Sequence, residues 1–244
     1  MKDSPKTILS KFSMEEMGNI SERPLPKQGE KLSYLVKYLW IIPVAVAEIE
    51  VGEQQNYKNH RVYPVTAKGK TTGFISSLVK AEGVITSFID TGKLYPWRYE
   101  EKAHAEGHRP SNKVILYNQN DQIMEFKDIK RKIPKNTQDP LSALFYLRWQ
   151  EYEEGKRITF NVNSNKENYT LNSQLVRNDA VALKDGQRKI LIIDSEISSP
   201  KEYSKSEAKI TTYVTDDNAR IPVLIKVRTK FGPVTCRLLG VEGR

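Results

Sequence analysis

The sequence predicts a mainly β protein: a single curled or incompletely closed antiparallel β-barrel with a buried central helix and one short additional helix. Three observations carry this. Apolar and polar residues alternate in short runs along most of the chain, the periodicity of half-buried strands. The runs follow one another through short turns such as Thr91-Gly92 and Asn118 to Asp121, which join antiparallel neighbours. One segment, Thr137 to Trp149, breaks the pattern with a helix start followed by residues apolar on nearly every side. Such a helix has to be covered, and a sheet of many strands hides its edges by curling or closing.

The elements follow in order. Residues 1–28 are polar, with Pro5, Pro24 and Pro26, and read as an N-terminal leader or tail, partly disordered. Residues 29–240 read as a single β-rich domain. Leu32, Tyr34, Val36 and Tyr38 alternate with their neighbours as a first strand, and Val44 to Val51 forms a second. Between them Trp40-Ile41-Ile42-Pro43 makes an unusually apolar hairpin tip. Arg61 to Lys68 is a third strand; Phe74, Ile75, Leu78 and Val79 then recur at the spacing of a short helix. Strands follow at Val84–Asp90, Trp97–His104, Lys113–Asn118 and Ile123–Lys130. At the central helix Asp139 is a suitable N-cap and Pro140 sits where a missing N–H costs nothing. Leu141, Leu144, Phe145 and Trp149 share one face of it. The chain resumes as Arg157–Asn163, Tyr169–Val176, Val181–Lys184 and Arg188–Ile197, with a hairpin signal at Asp185-Gly186. A meander ends it: Lys209–Thr215, Arg220–Thr229 and Pro233–Leu239. Roughly a dozen strands are therefore expected.

Composition narrows the function classes. Of 244 residues 38% are hydrophobic, which predicts a thin core and many half-exposed strands. The net charge of +9 fits a solvated basic surface or attraction to an anionic partner: a lipid, a lipoprotein or an anionic envelope polymer. The densest basic cluster, Lys127, Lys130, Arg131, Lys132 and Lys135, is interrupted by Asp128 and Ile129. It lacks any recognition-helix, zinc-finger or aromatic RNA-binding signature, so nucleic acid is not expected. Cys236 is alone, which excludes an internal disulfide, and it reads as a small core residue. The longest apolar stretch, Tyr38 to Ala47, is interrupted by Pro43 and is shorter than the about 20 residues a spanning helix needs, so no transmembrane segment is expected. The first residues lack the apolar core of a signal peptide.

Three pieces of sequence together resemble a known family: Gly29-Glu30-Lys31-Leu32-Ser33-Tyr34, then Asp139-Pro140-Leu141-Ser142-Ala143-Leu144-Phe145-Tyr146-Leu147-Arg148, then Asp217-Asn218-Ala219-Arg220-Ile221-Pro222-Val223 with Gly232. In order and spacing they resemble the bacterial family known as domain of unknown function 3108. The resemblance implies an exported, strand-rich protein of the periplasm or cell envelope once a leader is removed. It implies no catalytic residues. The layout is similar to the open, helix-plugged barrels of lipoprotein carriers, a likeness of fold alone.

Candidate sites are few. His104 and His108 are four apart, but Gly107 and Pro110 bracket them and no third ligand is near, so no metal is expected. Asp216-Asp217-Asn218 lacks the downstream glutamate of a calcium loop and reads as a turn. No nucleophile elbow, phosphate-cradling loop or dinucleotide fingerprint occurs, so neither catalysis nor a cofactor is expected. The aromatic residues either form core or line a cavity between sheet and helix. The ligand-binding candidates are Trp97, Tyr146, Arg148 and Trp149. Arg148, on an apolar helix, must find a partner: an acidic residue on a strand, or the anionic head of an amphipathic ligand. The leading reading is non-catalytic binding of a lipid or other amphipathic ligand in the cell envelope. The second is a scaffold that binds a protein partner through a sheet edge, and the third is an unrecognised enzyme.

Overall fold

A computed structural model describes residues 26–183, 186–199 and 206–243. The expected N-terminal tail therefore falls almost entirely outside the described residues, as does Asp185 of the expected hairpin tip. The order of elements is β1 (Lys31–Tyr38), β2 (Ile42–Val51), β3 (Gln55–Tyr57), β4 (His60–Thr71), α1 (Gly73–Leu78), β5 (Ala81–Asp90), β6 (Pro96–Ala105) and β7 (Ser111–Asn118). Then come β8 (Ile123–Phe126), β9 (Ile129–Lys132), α2 (Pro140–Trp149), β10 (Arg157–Ser164), β11 (Glu167–Leu183), β12 (Gly186–Ser198), β13 (Ser206–Thr215), β14 (Pro222–Thr229) and β15 (Gly232–Glu242).

All fifteen strands belong to one antiparallel sheet. Chain neighbours are sheet neighbours nearly throughout, and the last strand, β15, returns to pair with β1. The ladder thus runs β10 to β15, then β1, β2 and β4 to β9, with the short β3 attached to β4. Its two ends, β9 and β10, are the strands that flank α2 in the chain. No ladder joins them. A strap leading into the helix covers the β10 edge instead: Gln138 donates its N–H to Asn161 O at 2.8 Å and accepts the N–H of Asn163 at 2.7 Å. Side chains cross the remaining gap, with Arg131 donating to Lys166 O at 3.1 Å and to Glu167 Oε1 at 2.9 Å. Asn168 Nδ2 donates to Lys132 O at 2.9 Å. The sheet is a barrel left open at one seam.

The curl follows from what α2 must bury. One side of the helix, Leu141 and Phe145, packs on Val51, Val65, Ile89 and Leu94 of the β2–β5 region. The opposite side, Ala143 and Leu147, packs on Phe160 and Leu171 of β10 and β11. A sheet that touches both sides of one helix has to wrap around it. A further core lies between β1 and the β12–β15 meander, built on Leu32, Tyr34, Ile192, Leu224 and Leu238.

Several boundaries differ from the sequence expectation. Ile123–Lys130 is not one strand but the hairpin β8–β9, because Lys127 takes a left-handed φ of 52°. Tyr169–Val176 and the described part of the expected Val181–Lys184 belong to a single strand, β11, whose register slips between Leu175 and Arg177. A bulge of that kind interrupts alternation without ending the strand. β3 is too short to show a period.

Candidate functional site

Two buried polar anchors position α2. At its start Asp139 is fully buried. Its Oδ1 accepts from the N–H groups of Leu141 at 2.8 Å and Ser142 at 2.7 Å. Ser142 Oγ returns the favour by accepting the Asp139 N–H at 2.9 Å, a capping box. Ser87 Oγ of β5 donates to the other carboxylate oxygen. Burial pushes the Asp139 carboxyl up to about 6, although each of these bonds pulls it back down.

At the far end Arg148 is only 1% exposed. It makes a two-pronged pair with Glu30, at 2.6 and 2.9 Å. Two further N–H groups donate to the carbonyls of Arg220 at 3.1 Å and Ala219 at 3.0 Å. Burial opposes the guanidinium charge, but the pull of Glu30 overcomes it and leaves Arg148 above its ordinary pKa. The three sequence pieces that carry the family likeness thus meet at one buried cluster: Glu30, Arg148 and the 219–220 carbonyls.

Held this way, α2 fills part of the curled sheet and leaves space beside it. A cavity of about 1030 Å³ lies between α2 and strands β10–β14. Leu144 and Leu147 line it from the helix, and Leu171, Ile197, Ile210 and Val227 from the sheet. Ile210 and Val227 are register partners, as are Leu171 and Ile197, so these side chains share the inner face. At one end the lining becomes cationic with Arg228 and Lys230, beside Phe231. A second cavity of about 780 Å³ lies over small residues of β2 and β4–β7: Ala47, Gly69, Gly83, Ala103 and Ser111. The register places them in one row across the sheet. They share a face with Ile49, Ala67 and Ile85, which pack against the helix cluster.

The structure separates the four candidates read from sequence. Trp97 sits with Val62 and Tyr95 in another cluster. It stacks on His60 at 3.6 Å between ring centroids and donates to Asp90 at 3.0 Å. Tyr146 packs between Trp149, at 6.2 Å, and Phe160, at 4.9 Å. Arg148 takes the strand-region carboxylate, the first of its two possible partners. None of the four lines the 1030 Å³ cavity; Leu144 and the inward residues of β10–β14 do so. Alternation marks those strands as two-faced, but the sequence does not say which apolar side chains meet the helix and which overlook empty space.

Among the described residues no three His, Cys, Asp or Glu side chains come together in a way that would hold a metal. Asp217 is occupied in its own turn, accepting from the N–H groups of Ala219 at 3.0 Å and Arg220 at 3.1 Å. No described helix is long and apolar enough to cross a membrane.

Among solved structures the chain is similar to a β-barrel-like protein of domain of unknown function DUF1849 from Brucella abortus. The TM-score is 0.59 at 9% identity, covering 90% of this chain and 98% of that one, which shows a shared fold. A Bacteroides fragilis protein with a YmcC-like fold aligns over 91% of this chain and 100% of its own, with a TM-score of 0.37 and 9% identity. No curated protein matches the sequence. The family described as protein of unknown function DUF3108 matches residues 33–238, most of the chain and all three of the pieces that meet around Arg148 except Gly29 to Leu32 at their start. The chain belongs to the DUF3108 family.

Proposed function

We propose that this protein is a non-catalytic component of the bacterial cell envelope that holds the apolar part of an anionic amphiphile, a lipid or an acyl chain, beside α2. The observation that carries this reading is the cavity of about 1030 Å³. Its volume is at the upper end of the range typical for small-molecule sites, about 300–1000 Å³. Its walls are aliphatic and its cations lie at one end, the arrangement that suits an acyl chain with a negative head. The envelope location rests on the export that the family resemblance implies. Arg148 has no part in the head-group contact, since Glu30 neutralises it; Lys230 takes that role, while Arg228, next to the inward Val227, turns to the outer face over Trp40. Trp97, Tyr146 and Trp149 act as support and not as wall.

The scaffold reading is less well supported. The open edge β9 presents Lys130, Arg131 and Lys132, the charged type of edge that discourages strand addition, and the other edge is covered by the Gln138 strap. The test is displacement of a fluorescent fatty-acid probe by oleate. Saturable displacement is expected, weakened in a Lys230→Glu variant. Probe binding that never saturates, or is indifferent to that charge, would overturn the reading.

A further inference from the structure

The antiparallel order brings three connections to the same end of the sheet and side by side: β14–β15, β1–β2 and β4–β5. Their tips carry large apolar side chains in solvent: Phe231 (76% exposed), Ile41 (70%), Phe74 (75%) and Leu78 (63%). The tips touch one another. Tyr38 Oη donates to Phe231 O at 2.6 Å, Leu39 N–H donates to Pro233 O at 2.8 Å, and Arg228 lies 5.6 Å from the centre of the Trp40 ring. Thr72 N–H, at the start of α1, donates to Val44 O at 3.1 Å. This is one continuous patch and not a scatter of single exposed residues.

Two features say what it meets. The first is charge. The segments 37–42, 70–80 and 228–232 contain Lys37, Lys70, Lys80, Arg228 and Lys230 and no Asp or Glu. Long basic side chains around apolar tips suit a surface that is oily within and anionic at its face, which is a lipid bilayer with acidic head groups. The second is the choice of residues at the tip of β1–β2. Leu39 and Trp40 occupy left-handed backbone, at φ of 49° and 68°. Asn-Gly fits such a turn without strain, so bulky apolar residues there cost stability, and Leu39, 45% exposed, recovers little of it by packing. α1 is similar in kind: none of its residues is buried.

We propose that these three tips form a membrane-docking rim that inserts into the head-group layer of an anionic bilayer. Phe231 belongs both to the rim and to the lining of the 1030 Å³ cavity, so docking would place the cationic end of that cavity at the lipid surface. The proposal does not depend on the cavity being filled, because insertion is read separately from ligand uptake.

The test is sedimentation of the whole protein with vesicles of phosphatidylglycerol and phosphatidylcholine, set against vesicles of phosphatidylcholine alone. Binding to the anionic vesicles is expected, with a blue shift in tryptophan emission that is lost in Trp40→Phe. Ile41→Glu combined with Phe74→Glu should weaken the partition by about tenfold or more, while the circular dichroism melt stays unchanged because both side chains are in solvent. Absence of sedimentation with the anionic vesicles would overturn the proposal. So would sedimentation undiminished by the paired substitutions, or a concentration-dependent dimer that those substitutions abolish.

Discussion

At the scale of single residues, two buried charges define the account. Asp139 has a folded pKa of about 6 against an ordinary 3.8. Between those values the folded state keeps a proton that the unfolded chain releases, so this group's contribution falls as pH rises through the window and is lost above it. The difference amounts to about 3 kcal/mol. Asp139→Asn keeps an acceptor for the helix N–H groups and cannot ionise. Its stability relative to the native protein should rise between pH 4 and pH 7, measured by urea unfolding at each pH; a constant difference would contradict the assignment. Arg148→Met leaves Glu30 buried without its cation and should cost about 3–5 kcal/mol, and the double variant Arg148→Met/Glu30→Leu should recover much of that. A double variant as unstable as the sum of its parts would show that the pair is not the unit of stability. The sequence made half of each anchor legible. A guanidinium on an apolar helix requires a partner, but nothing local points to Glu30, 118 residues earlier. Asp139 reads as a cap, whereas its bond to Ser87 depends on the sheet folding back on the helix.

At the scale of elements, α2 is packed against the sheet on two sides and turns Leu144 to the cavity. The sequence placed Leu144 and Phe145 together on an apolar stripe. The structure makes them unlike: Phe145 is 1% exposed within the core, whereas Leu144 is half-buried on the cavity lining. Phe145→Ala should therefore cost about 3–5 kcal/mol, and Leu144→Ala under about 2 kcal/mol, since its truncation enlarges an existing space and opens no new one. Equal losses in chemical denaturation would mean that the space beside Leu144 is closed in solution. Strand boundaries were legible where alternation is clean, as in β1 and β6. They were not where a bulge or a left-handed turn intervenes, at Val176 and Lys127, since neither leaves a distinctive residue type behind.

At the scale of the whole molecule, an antiparallel, curled and incompletely closed sheet around a helix was readable from alternation, short turns and a helix apolar all round. The position of the seam was not, because β9 and β10 look like any other strands until the return of β15 to β1 fixes which pair is left unjoined. The cavity depends on that closure: its lining comes from five consecutive strands and one face of α2. The central claim is that this space is a ligand site, and native mass spectrometry of the protein incubated with oleate tests it most directly. The account predicts a species one oleate heavier than the bare chain, absent when Leu144→Trp and Val227→Trp fill the space. A native protein that retains only its bare mass, or filled variants that carry oleate as well as the native chain does, would contradict it.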